Sequence, residues 1–205
     1  VINPAAKDLN PTSEKKVMDV NDTEGTKTGW QDSADYDIGD KVPFQLTGTV
    51  ADDYYVYKGD YQLVFHDTLS AGLTVDRNSF KVYKNNGETP IDSSEYEINY
   101  ESDQKFTVTI KNVKNLGNDV LKVRVEYKAE LNTDAVIGSE GNPNTMYMEF
   151  SNNPNNEQGG ETGKTPEDTV IVFTYKVSVN KVNENNEKLN GANFTLEKKV
   201  KKSTN

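Results

Sequence analysis

Apolar and polar residues alternate in strand-length runs along most of this chain, and that period of two constrains its fold more than any other feature. Residues two apart on a strand share a face, so alternation gives one buried and one wetted side, the pattern of antiparallel sheets packed face to face. The clearest runs are Val42-Pro-Phe44-Gln-Leu46, Tyr61-Gln-Leu63-Val-Phe65-His-Asp67, Phe80-Lys-Val82, Phe106-Thr-Val108-Thr-Ile110, Leu121-Lys-Val123-Arg-Val125-Glu-Tyr127 and Met146-Tyr-Met148-Glu-Phe150. Stretches rich in Asn, Asp and Gly separate them, and no segment carries a clear helical period. The chain is therefore read as all-β, a sandwich.

The 205 residues suffice for one large β domain, or for one domain and part of another. The polar stretch Asn152 to Asp168, with Asn-Asn-Pro, Gly-Gly and Thr-Pro, marks the end of the first unit. The β-forming run Thr169 to Val182 then crosses into a second unit that begins near Tyr175. From there to Asn205 there is chain for two or three strands, too little to close a core. The expected division is a linker over 1–10, a sandwich over 11–174 and the truncated first strands of a second sandwich over 175–205. With Val rather than Met at its first position, the chain reads as a fragment of a longer protein.

Composition removes several function classes. With 33 acidic against 23 basic residues the net charge is −10, which repels nucleic acid and anionic lipid. The absence of cysteine removes disulfides and thiolate metal sites, and a single histidine, His66, removes any site needing two imidazoles. No apolar stretch approaches the length of a membrane span. Neither a metal nor a cofactor is expected.

The phase of the strands raises a chemical question. If Leu63 and Phe65 face the core, so does Asp67, and a carboxylate there must be paired or protonated. Asn152 shares the phase of Met146, Met148 and Phe150. In Glu14-Lys15-Lys16-Val17-Met18, Lys15 aligns with Val17 and Lys16 with Met18, so phase alone does not choose the inward lysine. A buried lysine loses its charge and becomes a nucleophile, and a protonated Asp beside it can polarise an amide carbonyl and shuttle protons. Lys, Asp and Asn together suit amide formation with loss of ammonia. The plainer reading makes the Asp and Asn turn or capping residues and lets the lysine snorkel to solvent.

Four segments in order, Pro11-x-x-x-Lys15-x-Val17, Ile38-Gly39-Asp40-Lys41-Val42, His66-Asp67-Thr68-Leu69-Ser70-Ala71-Gly72-Leu73 and Phe150-Ser151-Asn152-Asn153-Pro154, resemble the middle domain of Gram-positive sortase-assembled backbone (major) pilins. The resemblance covers about residues 11 to 170. It implies an immunoglobulin-like sandwich of the collagen-adhesin A type, with an isopeptide bond made autocatalytically between Lys15 and Asn152 and assisted by Asp67. Because only an apolar cage keeps a carboxyl and an amine both neutral, Asp67 is expected to have neighbours that include Phe65 and Phe150. Lys16 is the alternative lysine. Val177-Ser-Val179-Asn-Lys181-Val182 followed by Leu189-Asn-Gly191-Ala192-Asn-Phe194-Thr-Leu196 resembles the opening of a collagen-adhesin B-type domain, in which Lys181 is the crosslinking lysine. The Tyr-Pro-Lys segment that receives the sortase-made bond in such pilins is replaced by Asn3-Pro4-Ala5-Ala6-Lys7, leaving Lys7 as the acceptor candidate, and no Leu-Pro-x-Thr-Gly sorting signal is present. The implied setting is an extracellular pilus, cell-wall anchored in the full-length protein, whose partners are other pilin subunits.

Two other classes compete with this structural role. Tyr54, Tyr55 and Tyr57 with Trp30 could form the surface of an adhesin gripping host matrix or a glycan, against ordinary packing of a long loop. Acidic residues Asp52, Asp53 and Asp60, or Asp32, Asp35 and Asp37, could serve a glycosidase or a Ca²⁺ site, but none has the full spacing of a calcium loop. His66 lies on the opposite face from Asp67 and is expected to point outward. A non-enzymatic chain is the leading expectation.

Overall fold

The computed structural model describes residues 10–21, 24–157, 160–191 and 193–197. Among these residues twelve strands form two sheets: β1 Ser13–Asn21, β2 Thr26–Gln31, β3 Ser33–Asp35, β4 Lys41–Thr49, β5 Leu63–Leu69, β6 Leu73–Lys84, β7 Tyr96–Tyr100, β8 Lys105–Ile110, β9 Lys122–Leu131, β10 Asn142–Ser151, β11 Thr162–Lys164 and β12 Asp168–Phe173. One sheet has five strands in the order β2-β1-β4-β9-β6. The other runs β3-β12-β10-β5-β8-β7, with β11 added alongside β10. All pairings are antiparallel except β3 with β12. This is the all-β sandwich expected from the alternation, of the immunoglobulin-like kind that the resemblance implied.

The core is the stack of inward residues from both sheets. Val42, Phe44 and Leu46 of β4 and Val123, Val125 and Tyr127 of β9 face Leu63 and Phe65 of β5, Phe106 and Val108 of β8, and Met146 and Met148 of β10. At Gly48 of β4 a Cβ would stand 2.2 Å from the Met148 sulfur and 2.9 Å from the Phe65 ring, so glycine leaves room for those side chains.

The polar segment after β10 does not end the sandwich, because β11 and β12 return to pair with β10. Beyond Phe173, the described residues form no strand, only an isolated bridge between Val182 and Lys188. Tyr175, Val177, Val179 and Leu196 are exposed there. The two or three strands expected in this segment are thus not formed among the described residues: a β-forming run without a partner edge has no ladder to join.

Candidate functional site

Two adjacent residues of β1 go opposite ways. Lys15 pairs across the ladder with Leu46, points between the sheets with Val17, and is fully buried. Lys16 points outward to Asp32 and Glu14. The choice that phase left open is made by the pairing register with β4, whose inward residues are Val42, Phe44 and Leu46. β2 covers β1 only from Val17 onward, and ahead of that point the Lys15 backbone N–H donates to Asp168 Oδ2 at 2.7 Å, tying β1 to β12 of the other sheet.

Across the core, Lys15 Nζ lies 2.6 Å from Asp67 Oδ2, both side chains being fully buried. Tyr127 of β9 donates its hydroxyl to the same Asp67 oxygen at 2.9 Å. That hydroxyl also accepts from Asn144 Nδ2 at 2.8 Å and lies 3.4 Å from Lys15 Nζ. One phenolic oxygen therefore touches the amine, the carboxyl and an amide. Lys15 comes from the five-stranded sheet, Asp67 and Asn144 from neighbouring strands of the other.

The surroundings are aromatic. Phe44 and Phe80 stack on Tyr127, with centroids 5.4 and 5.1 Å away, and Phe106 meets it edge-on at 5.0 Å. Phe106 is also the direct ladder partner of Asp67. This cage differs from the expected one: Phe150 pairs with Leu63, away from the Asp67 level of the ladder where Met146 stands.

Burial dominates the electrostatics. Desolvation pushes the Lys15 amine below its ordinary pKa, although Asp67 opposes the shift. It likewise pushes the Asp67 carboxyl up, against the pull of Lys15 and Tyr127. Both shifts favour the neutral pair, a free amine beside a protonated acid. The Tyr127 hydroxyl is held well above its usual range, again chiefly by burial, so it stays protonated. Asp67 Oδ1 and Asn144 Oδ1 are buried with no hydrogen-bond partner.

Asn152 is not in this cluster. β10 ends at Ser151, and Asn152 lies exposed in the following loop, its backbone N–H donating to Glu161 O. Six residues separate it from Met146, about 20 Å at the rise of a strand. The inward phase holds for Met146, Met148 and Phe150, but the strand stops before Asn152. Asn142 and Asn144 share that face at the other end of β10 and are both fully buried. Asn142 is satisfied by Val136 and by Val172 O. Among the described residues the Asn144 side chain bonds only the tyrosine. The sequence signal for it was present in Asn142-Pro-Asn144-Thr-Met146, two alternating asparagines leading into an apolar run.

The remaining candidates are scattered. Lys181 is exposed, and Lys7 lies outside the described residues. His66 is on the outer face, stacked on Tyr147 at 4.4 Å with Glu149 nearby. Tyr54 is buried, bonded to Gly117 O and Val120 N, and Tyr57 packs edge-on against buried Tyr61, so of the three loop tyrosines only Tyr55 is largely exposed. Among the described residues no group of three or more acidic, histidine or cysteine side chains is placed to hold a metal ion. Nor, among them, is any helix long and apolar enough to cross a membrane, which says nothing of β-barrels.

Comparison with known proteins gives this arrangement a context. No protein-family profile matches the chain. It is 27% identical, over 198 aligned residues and 86% of its length, to the trypsin-resistant surface T6 protein of Streptococcus pyogenes serotype M6. The chain is similar to a streptococcal surface pilin. The solved structure of the T6 backbone pilin, described as modular and three-domain, matches 80% of this chain at 24% identity with a TM-score of 0.56. The major pilin GBS80 of Streptococcus agalactiae matches 81% at 18% identity and 0.60, and BcpA, the major pilin subunit of Bacillus cereus, 80% at 19% and 0.60. The chain spans 34% of the length of the curated T6 relative and between 36% and 56% of these structures.

Proposed function

We propose that this chain is part of a structural pilus subunit whose sandwich is locked by an autocatalytic isopeptide bond between Lys15 Nζ and Asn144 Cγ, with Asp67 as the proton shuttle. One observation carries the reading: a buried lysine, a buried aspartate and an otherwise unpartnered buried asparagine meet at one tyrosine hydroxyl between the two sheets. A buried ionisable pair is a poor way to gain stability, since apolar residues of similar volume usually do as well or better. Converted to an amide, the same atoms carry no charge and join first and late strands of the fold covalently. The neutral Lys15 attacks the amide carbon, Asp67 handles the protons, and ammonia leaves.

Similarity to Gram-positive backbone pilins supports the structural role, and it supports a surface location and assembly with other pilin subunits. In the same reading residues 175–205 begin a second sandwich whose crosslinking lysine is Lys181, and Lys7 is the sortase acceptor. The mass of the purified protein tests the proposal. The wild-type chain should weigh one ammonia less than its sequence, and Lys15→Ala should show no deficit. A wild-type protein of full sequence mass would refute the bond.

A further inference from the structure

We infer that Tyr127 is a catalytic residue of the crosslinking step, its hydroxyl giving Asn144 Nδ2 the proton with which that nitrogen departs as ammonia. The inference rests on the Lys15–Asn144 reading and adds to it a reacting group that neither the strand pattern nor the pilin resemblance singled out.

The chemistry sets the requirement. An amide nitrogen leaves only after gaining a third hydrogen, so some acid must stand beside Nδ2. Asp67 holds the mobile proton, but its bonded oxygen contacts Lys15 Nζ at 2.6 Å and Tyr127 at 2.9 Å, not the departing nitrogen. The group at that nitrogen is the Tyr127 hydroxyl, 2.8 Å away. A hydroxyl both donates and accepts, so it can take a proton on one side while releasing its own on the other. Because burial keeps the phenol protonated, it relays rather than ionises. Phe44, Phe80 and Phe106 pack against its ring and hold the oxygen in place.

The balance closes. Lys15 Nζ bonds to Asn144 Cγ. With Cγ tetrahedral, Nδ2 becomes an amine that can accept, so the Tyr127 O–H, which donates to Asp67 before the reaction, turns toward Nδ2 and gives it a proton as Asp67 supplies one to the phenolic oxygen; the Cγ–Nδ2 bond then breaks to release ammonia. The surplus proton on Nζ moves to Asp67 Oδ2. Asp67 and Tyr127 end as they began, and the only net change is a primary amide and an amine exchanged for a secondary amide and ammonia.

The test follows crosslinking in time by intact mass, after diluting freshly synthesised, guanidinium-quenched chain into buffer. Loss of a general acid typically costs on the order of 10²-fold or more, and Tyr127→Phe should slow ammonia loss by that factor. A structural hydroxyl could also slow the reaction, so 3-fluorotyrosine placed at position 127 supplies the second readout. It keeps the hydroxyl but is the stronger acid, and a relay predicts faster crosslinking than in the wild type. Crosslinking of Tyr127→Phe at the wild-type rate would overturn the role of Tyr127 while leaving the Lys15–Asn144 bond intact. An unchanged rate with 3-fluorotyrosine would overturn the relay, and it decides the matter even if the phenylalanine variant does not fold. A wild-type chain that loses no ammonia would instead remove the underlying reading.

Discussion

Lys15 and Lys16 are neighbours in β1, and each holds an aspartate oxygen at 2.6 Å, yet the two pairs behave as opposites. Lys16 keeps a quarter of its side chain in solvent and Asp32 about three quarters, and hydrogen bonding to Asp32 raises the Lys16 pKa. Lys15 and Asp67 have no exposure, and desolvation lowers the amine and raises the acid. Distance is the same, so distance does not set the chemistry. The medium does: where water is excluded a charge costs more than its partner returns, and the pair is driven toward its neutral, reactive form.

The largest way to break this contrast is Asp67→Ala. It should leave a folded protein of full sequence mass, with the ammonia retained. In the chain-entropy picture a bond closing so long a loop is worth about 4 to 5 kcal/mol, as for a disulfide, and chemical denaturation should show a loss of that order. Full crosslinking in this variant would rule out Asp67 as the shuttle even if the bond exists.

The next contrast lies within β10. Asn144→Ala should abolish the mass deficit, whereas Asn152→Ala, at an exposed loop position, should keep it. The reverse result would restore the assignment that the sequence suggested.

A smaller, graded effect is expected from pH. The step needs Lys15 deprotonated, a state lost as pH falls through its lowered pKa, and Asp67 protonated, a state lost as pH rises through its raised pKa. The rate of ammonia loss in freshly diluted chain should therefore fall on both acid and alkaline sides, with apparent values that belong to the coupled pair. A rate that climbs steadily with pH would mean that Asp67 is not needed as an acid.

The smallest effect should come from Lys16→Ala. Exposed ion pairs are worth roughly 0 to 1 kcal/mol, and crosslinking should be untouched. Loss of the ammonia deficit in this variant would make the assignment of β1's two lysines wrong.

Much of this was legible in the alternation. Strands β4, β5, β8, β9 and β10 lie where period two put them, and the inward phase of Asp67 follows directly from Leu63 and Phe65. The short strands β2, β3, β7 and β11 were not, because Thr26–Gln31 or Ser33–Asp35 carries too few apolar positions to show a face and is ordered by its partner. Lys15 needed the β4 register, a tertiary fact. Asn144 was missed because a sequence pattern shows which residues share a face but not where the strand stops or which of several asparagines lacks a partner. Tyr127 read as one more core aromatic, and only the placement of its oxygen distinguishes it.

Tandem mass spectrometry of a protease digest of the purified protein reads a covalent bond between Lys15 Nζ and Asn144 Cγ directly. The expected product is a branched peptide, one ammonia lighter than its two parts, joining the segment around Lys15 to the segment around Asn144. Separate, unmodified peptides carrying Lys15 and Asn144, or a branch that ends on Asn152, would contradict it.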